Sequence, residues 1–273
     1  MRTRPTPMTL EEFHALPRRP GWKHEYWGGK AYIQPRPSVA IVRAPVVPRP
    51  VSIPDGFRLR PATLDDAPPL IHAFFDAFRD SIDYWGYPLP KIRADAHHSI
   101  TTCFAGRRGA FRSASCLALA PTGRSIAGAA LIVEGGEGPN LDLLFVRPRW
   151  QRRGLAVALL QFAMNALHEG GETSVDGGYN VANDASAAVH RRLGFEELPD
   201  LLRAQDEAYC ARHELRRREQ EGLTGAERQG LEGRVAHWEA IHAELEATAE
   251  RDGWVAVSPL LRQRGARKKE ETR

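Results

Sequence analysis

The spacing of apolar residues changes several times along the chain, and each change marks a predicted element. Strand-like runs occur at "FRLRPA", "NLDLLFV" and "TSVDGGYNV", and "SCLALAP" with "SIAGAALIVEG" predicts a hairpin around Thr122-Gly123. Helical spacing occurs in "TLDDAPPLIHAFFDAF", "IRADAHHSITTCFAG", "LAVALLQFAMNALHEG" and "DASAAVHRRLGF". Strands that alternate with helices in this way predict an α/β fold with helices flanking a mixed central sheet.

The N-terminal segment, residues 1–34, predicts a small structure of its own. Thr9 and Glu12 stand at the spacing of a capping box, which predicts a short helix. "KHEYWGGKAYIQ" then predicts a β-hairpin that turns at Gly28-Gly29. A hairpin of this size is not stable alone. We therefore expect it to pack on the rest of the chain, on a second chain in a homodimer, or on another partner.

Three further segments follow. Residues 35–54 contain repeated prolines, which argue against a helix or a central strand and predict a semi-rigid linker. Residues 55–199 hold the predicted α/β domain. Residues 200–273 are charged and predict a helical extension, with a capping box at Thr224 and Glu227 and a frayed basic tail.

The composition narrows the class of protein. Of the 273 residues, 42% are hydrophobic and 26% are charged, which is typical of a globular chain, and the net charge of +4 is too small to indicate nucleic acid as the partner. Three cysteines without paired spacing, and the absence of an apolar signal or membrane-spanning run, favour a cytoplasmic protein. His97-His98 has no further ligand at metal-binding spacing, so no metal site is predicted.

The stretch "RPRWQRRGLA" carries the strongest functional signal. It follows the apolar run "LDLLFV" and precedes a new helical pattern. The N-terminus of a helix has unpaired N–H groups and a partial positive charge, which together bind phosphate. Gly154 allows close approach to the main chain, Ala156 keeps the next turn small, and Arg152 and Arg153 add positive charge.

Two motifs in this region resemble the GNAT N-acetyltransferases. Gln151-Arg-Arg-Gly-Leu-Ala156 is similar to that family's Gln/Arg-x-x-Gly-x-Gly/Ala signature, and "NDASAAVHRRLGF" resembles its Asn-x-x-Ala-x-x-x-Tyr-x-x-x-Gly-Phe helix, with Ser186 in the place of the Ala. The resemblance covers about half the chain. It implies a mixed sheet that splits between two strands, with acetyl-CoA as cosubstrate in the split.

The resemblance also implies which residues touch the cosubstrate. The strand end would pair with the pantetheine arm, the amides of the turn would hold the pyrophosphate, and an asparagine would touch the pantetheine. The residues so implied are Leu144, Phe145, Val146, Gln151, Arg152, Arg153, Gly154, Leu155, Ala156 and Asn183. In this family a neutral amine attacks the thioester directly, and the amine belongs to a small molecule or a protein.

The catalytic residues are less well determined by the resemblance. His190 stands where the family often has a tyrosine that protonates the leaving thiolate, and histidine can donate a proton near neutral pH. The alternative is a solvated helix histidine. Asp142 is the candidate general base, on the same strand face as Leu144 and Val146, with Glu134 as a second candidate. The alternative for Asp142 is a carboxylate bonded to backbone.

The segment "DSIDYWGYPLP" lies where the family lines its acceptor site. Tyr84, Trp85 and Tyr87, with Asp80 and Asp83 beside them, are candidates for binding a flat or cationic amine. The alternative is that these aromatic residues anchor a loop on the sheet.

A second resemblance covers only about thirty N-terminal residues. "MTLEEFHALPRRPGWKHEYWGGKAYIQPRP" is similar to the opening of the Uma-type endonucleases. The chain lacks the later Asp and Glu-x-Lys pair of that family's metal-binding core, so no nuclease activity is inferred.

Three hypotheses therefore remain at the level of sequence. The first is an acetyl-CoA-dependent N-acetyltransferase. The second is a non-catalytic protein that binds acyl-CoA, which the missing tyrosine and the appended segments favour. The third, a nucleic-acid-directed protein, ranks last because no basic-aromatic RNA-binding motif is present.

Overall fold

The computed structural model describes residues 5–123 and 125–258, which form a small three-stranded sheet and a larger seven-stranded sheet. The strands are β1 Thr6–Pro7, β2 Trp22–Trp27, β3 Lys30–Pro35, β4 Val39–Pro45, β5 Arg58–Pro61, β6 Cys116–Leu119, β7 Ile126–Gly135, β8 Gly138–Val146, β9 Ser174–Asn180 and β10 Glu196–Glu197. The helices are α1 Leu10–Ala15, α2 Ala67–Phe78, α3 Leu89–Phe104, α4 Leu155–Glu169, α5 Asp184–Arg192, α6 Leu201–Glu221 and α7 Gly225–Asp252.

The large sheet has the strand order β10-β4-β9-β8-β7-β6-β5. Strands β8 and β9 run parallel, and the other neighbouring pairs are antiparallel. The helix α4 joins the two parallel strands, because a parallel connection needs a crossover. The predicted α/β fold with a mixed central sheet is confirmed.

Helices cover both faces of this sheet and bury two apolar clusters. Along β7, Ala130 and Ile132 belong to the cluster under α4, whereas Leu131 and Val133 belong to the cluster under α2 and α3. This alternation follows from the two-residue period of a strand. We call the two sides of the sheet the α4 face and the α2–α3 face.

The parallel strands β8 and β9 pair only over a short length. Asn140 lies opposite Asp176 and Leu141 opposite Gly177, and beyond these positions the strands diverge. The carboxyl-terminal half of β8 therefore pairs with β7 on one side and faces an opening on the other.

The segment 35–54 departs from its prediction, since it contains β4, an inner strand of the large sheet. β4 pairs with β9 over seven positions, from Val39 opposite Asn180 to Pro45 opposite Ser174. The prediction that prolines exclude a central strand here is wrong, because the prolines flank the strand. The run "VAIVRA" between them has none, and four of its six residues are buried.

The N-terminal helix and hairpin form as predicted, and they pack on the same chain. The capping box between Thr9 and Glu12 is present, and β2 pairs with β3 across Gly28-Gly29. The backbone N–H of Gly21 donates to Asp206 of α6 at 2.9 Å, so the small sheet is held against the C-terminal helices.

The C-terminal extension is a helical hairpin, α6 and α7, with the predicted capping box at Thr224 and Glu227. The predicted frayed tail, residues 259–273, lies outside the described residues. Among the described residues, no helix is long and apolar enough to cross a bilayer.

Candidate active site

The divergence of β8 and β9 opens a cleft of about 760 Å³. Its walls come from the end of β8, the turn between β8 and α4, the end of α2 with the turn that follows, and one face of α5. The cleft has the size of a ligand site and lies at the point where the sheet splits.

The turn between β8 and α4 forms the floor of one end of the cleft. Arg152 has a φ of 62° and Gly154 a φ of 85°, so two of three consecutive residues are left-handed, and for an arginine this conformation is strained. Gln151 fixes the turn by donating from Nε2 to the carbonyl of Val146 at 2.9 Å. A Cβ atom on Gly154 would meet nothing within 4 Å, so the space in front of it is open.

The amides of this turn are available to a ligand. The first bond within α4 runs from the N–H of Ala158 to the carbonyl of Gly154, which leaves the amides of Leu155 and Ala156 outside the helical ladder. In the described part of the chain, the amides of residues 152–157 donate to no protein acceptor. Several N–H groups at a helix N-terminus form a site that fits a diphosphate.

The end of β8 presents only alternate residues to the cleft. The N–H of Arg147 donates to the carbonyl of Ala127 on β7, so the backbone groups of Phe145 also point toward β7. The backbone groups of Leu144 and Val146 point the other way, into the opening. Of the three strand residues implied as pantetheine contacts, the register supports Leu144 and Val146, while the backbone of Phe145 is engaged in the sheet.

Arginine side chains give this end of the cleft its positive charge. Arg152 and Arg192 line it directly. Arg149 and Arg153 lie over the ring of Trp150, at 5.0 and 5.2 Å from its centroid, so the charge of Arg153 is held beside the turn rather than inside it. Arg192 was missed by the sequence analysis.

The face of α5 that lines the cleft explains why Arg192 belongs to the site. Ala185, Val189 and Arg192 recur at spacings of four and three residues and line the opening together. His190 points about 100° away from Val189, since a helix turns through that angle per residue. The sequence could have indicated Arg192, because it lies on the same face of the predicted helix as Ala185 and Val189, counted from the motif residue Asn183.

His190 is buried in the core rather than exposed in the cleft, with 2% of its surface accessible. Its ring packs between Tyr179 and Phe195. Burial lowers the pKa of His190 below its ordinary value, so the ring is neutral near pH 7. Nδ1 lies 2.8 Å from the carbonyl of Ser186 and donates to it, which leaves Nε2 without a proton. His190 is not among the residues that line the cleft, and its proton is engaged with Ser186, so its role as the acid stays a prediction.

Asp142 lies on the α2–α3 face, not on the face predicted for it. It is the extra residue of a β-bulge between β7 and β8, so it points toward Cys103 of α3 while Leu144 and Val146 point to the α4 face. Its carboxylate pairs with Arg108 at 2.8 Å, and only 6% of the side chain is exposed. The expected shared face with Leu144 and Val146 is wrong because of the bulge.

Glu134, the second candidate base, lies near the end of β7 that is remote from the cleft, opposite Pro139. Arg112 pairs with its carboxylate at 2.5 Å. Neither predicted base is among the residues that line the opening.

The three aromatic residues that were expected to bind an acceptor are not among the residues that line the cleft. The ring of Tyr84 packs against Phe74 and Phe78 in the core under α2, and burial raises its pKa to about 12. Trp85 contacts the ring of Trp22, and Tyr87 is exposed. The contacts agree with the alternative interpretation, in which these aromatic residues fix the loop.

The part of this loop that lines the cleft is its start, residues 80–83, and Asp83 is the residue there that contacts α5. It follows α2 in the short 3₁₀ helix Ile82–Tyr84, and its Oδ2 accepts a hydrogen bond from Nδ2 of Asn183 at 3.2 Å. Asn183 also caps α5, since its Oδ1 accepts from the N–H of Ser186. Burial raises the pKa of Asp83 above its ordinary value, although the bond from Asn183 acts in the opposite sense.

A family of known proteins matches this part of the chain. Residues 57–196 match the acetyltransferase (GNAT) domain. The chain belongs to the GNAT acetyltransferase family. The matched region contains the whole of the cleft, and it begins after β4, so the large sheet of this GNAT protein includes one inner strand from outside the matched region.

Solved structures of the family resemble the chain more loosely. A GCN5-related N-acetyltransferase from Sphaerobacter thermophilus is 18% identical, with 58% of this chain and 48% of that one covered and a TM-score of 0.45. The ribosomal-protein-S18-alanine N-acetyltransferase of Escherichia coli is 19% identical, with 50% and 76% covered and a TM-score of 0.38. The PaiA N-acetyltransferase of Thermoplasma acidophilum, in complex with coenzyme A, is 14% identical, with 42% and 74% covered and a TM-score of 0.32.

The chain spans about half the length of the first solved structures that it matches. No curated protein sequence matches it significantly.

Proposed function

We propose that this GNAT protein transfers an acetyl group from acetyl-CoA to an amine of a small molecule or a protein. The observation that carries the proposal is the run of unengaged amides at residues 152–157, which begins the helix α4 beside the split in the sheet. Acetyl-CoA supplies a thioester, whose carbonyl carbon a neutral amine attacks directly.

Different residues of the cleft would bind the diphosphate and the pantetheine arm. The amides from Arg152 to Ala156 hold the diphosphate, and Arg152 and Arg192 add positive charge to that end. The backbone groups of Leu144 and the N–H of Val146 face the opening and would pair with the amide groups of the pantetheine arm. The bond between Gln151 and Val146 joins the two parts of the site, so the turn and the strand end keep a fixed relation.

Two measurements on the purified protein test the proposal. Isothermal calorimetry with coenzyme A and acetyl-CoA should show saturable binding, and thiol release from acetyl-CoA should rise above the hydrolysis rate when amines are added. No heat with either compound contradicts the proposal. Binding without thiol release across the amines would instead favour a non-catalytic protein that binds acyl-CoA.

A further inference from the structure

We propose that Asp83 binds the cationic amine of the acceptor and takes the proton that the amine must lose before it attacks. This inference rests on the proposed function and adds the acceptor class, a protonated amine. It replaces Asp142 as the base with a residue that lines the cleft.

The position of Asp83 is the first argument. Its carboxylate lies in the turn after α2, on the wall of the cleft that faces α5, and Asn183 holds it there from the opposite wall. Phe78 and Ile82 line the cleft beside it, so the methylene groups of an amine have apolar surface next to the charge. A charged group among apolar side chains in a cleft is the usual arrangement for orienting a small ligand.

The charge of Asp83 is the second argument, because it is not balanced by the protein. Its neighbours Asp80 and Asp184 pair with Arg79 and Arg19, respectively. Within the described chain, Asp83 forms no ion pair. A carboxylate that is partly removed from water without a counter-ion is costly, and a cationic amine in the cleft would supply that counter-ion.

Asp142 lacks both of these properties. Its carboxylate is already paired with Arg108, and its side chain lies on the opposite face of the sheet from Leu144 and Val146. To act as the base, it would have to leave the guanidinium. Asp83 needs no such rearrangement.

The proton balance follows from these positions. The ammonium group of the acceptor gives one proton to the Asp83 carboxylate, and the nitrogen lone pair forms the new C–N bond at the thioester carbon. The C–S bond then breaks, and its electron pair leaves with the sulfur of coenzyme A. The nitrogen loses its second proton, which passes through water to the thiolate. Asp83 returns its proton to the solvent, and the products are the N-acetyl amine and the free thiol.

The variant that tests the inference is Asp83→Asn, which keeps the shape of the side chain and can still bond to Asn183. The probe acceptors are 1,5-diaminopentane and tryptamine, which are cationic at pH 7, and aniline, which is already neutral. With the cationic probes, thiol release at pH 7 should fall by at least about 100-fold. The loss should shrink as the pH rises, because the amine then loses its proton in solution.

The controls distinguish the loss of the general base from damage to the rest of the cleft. Charged groups around Asp83 are Asp80 on the same turn and Asp184 and Arg192 on α5, and they stay in place in the variant. Coenzyme A affinity should change by less than about 3-fold, and thiol release with aniline should be retained. Asp252→Asn, at a side chain that is 48% exposed, paired with Arg251 and outside the cleft, should behave like the wild type with all probes.

The outcomes that would overturn the inference differ from those that would overturn the function. Three results would overturn the role of Asp83 only. They are unchanged turnover of the cationic probes by Asp83→Asn, a comparable loss in Asp142→Asn alone, and acetylation of aniline in preference to both cationic probes. Coenzyme A binding without turnover of either cationic probe overturns the inference and the transferase assignment. Absence of coenzyme A binding by the wild type overturns the proposed function, and the inference falls with it.

Discussion

Gly21, the residue before β2, lies against the main chain of Ala182, the residue just before the cap of α5. A Cβ atom placed on Gly21 would lie 2.7 Å from the nitrogen of Ala182 and 2.9 Å from the carbonyl carbon of Val181. Ala182 lines the cleft, so the N-terminal segment is in contact with the wall of the candidate active site.

This contact predicts that Gly21→Ala destabilises the protein. The substituted residue would have to adopt a φ of 76°, and its methyl group would collide with backbone that cannot move aside. We expect a loss of at least about 2 kcal/mol, or roughly 5 °C in Tm. Thermal unfolding measured by circular dichroism tests this.

Gly28→Ala is the matched control for Gly21→Ala. Gly28 also has a positive φ, of 58°, but a Cβ atom there would meet nothing within 4 Å. The control should show only the backbone cost, about 1 kcal/mol. Equal Tm losses in the two variants would mean that the contact with Ala182 contributes nothing.

Gly154→Asp should abolish coenzyme A binding. A Cβ atom there would meet nothing within 4 Å, and the strain of its φ of 85° is matched in the control below, so the lost affinity comes from the negative charge beside the expected diphosphate. Two unit charges 4 Å apart near a protein surface interact by about 4 kcal/mol, which corresponds to more than 100-fold in Kd. Calorimetry with coenzyme A provides the measurement.

The control for Gly154→Asp is Gly171→Asp, beyond the other end of α4. Gly171 has a nearly equal φ, of 82°, and the same open surroundings, and it does not line the cleft. Both variants should therefore lose similar stability, and only Gly154→Asp should lose affinity. Retained affinity in Gly154→Asp would contradict the position assigned to the diphosphate.

His190→Phe should leave turnover within about 3-fold of the wild type. The ring of His190 is buried between Tyr179 and Phe195, where another aromatic ring can replace it. Steady-state thiol release and a melting curve test this together. A drop in kcat of about 100-fold or more, with unchanged Tm and coenzyme A affinity, would restore a catalytic role to His190.

The stability of the protein should fall in mild acid, in part through His24 of β2. Burial and the nearby charges of Arg18 and His213 lower the pKa of His24 to about 4. In the unfolded chain its pKa is the ordinary value of 6.5. The unfolded chain therefore binds more protons between pH 6.5 and about 4, and stability declines as the pH falls through that range.

His24→Gln should reduce the difference in Tm between pH 7 and pH 5, because the substituted side chain does not titrate. His97→Gln, at an exposed position on α3, serves as the control and should keep the wild-type difference. An undiminished difference in His24→Gln would show that other groups cause the acid sensitivity.

Local patterns in the sequence were sufficient for the turn at the start of α4. A strand, a basic turn with Gly154 and an apolar helix follow one another along the chain, and each element depends on neighbours within a few residues. The cap of α5 at Asn183 could have been predicted from the sequence for the same reason. The elements that lie between 55 and 199 could therefore be predicted with their order.

Features that depend on distant parts of the chain could not be predicted. The strand β4 was missed because its partner β9 lies about 135 residues further on, and the flanking prolines gave the stronger local signal. The face of Asp142 was wrong because a one-residue bulge reverses the alternation and leaves no mark in the sequence. Asp83 was noted only as a companion to aromatic residues, since its lack of a counter-ion is a property of the folded neighbourhood.

The place of β4 in the large sheet has a consequence for synthesis on the ribosome. This strand emerges among the first 45 residues, but it is hydrogen-bonded to β9 on one side and β10 on the other, at positions 174–180 and 196–197. Its apolar side chains cannot pack in the folded sheet until most of the polypeptide has been translated. A nascent chain paused before β9 therefore exposes an apolar segment to chaperones, and an expression clone that starts at residue 55 lacks an inner strand of the large sheet.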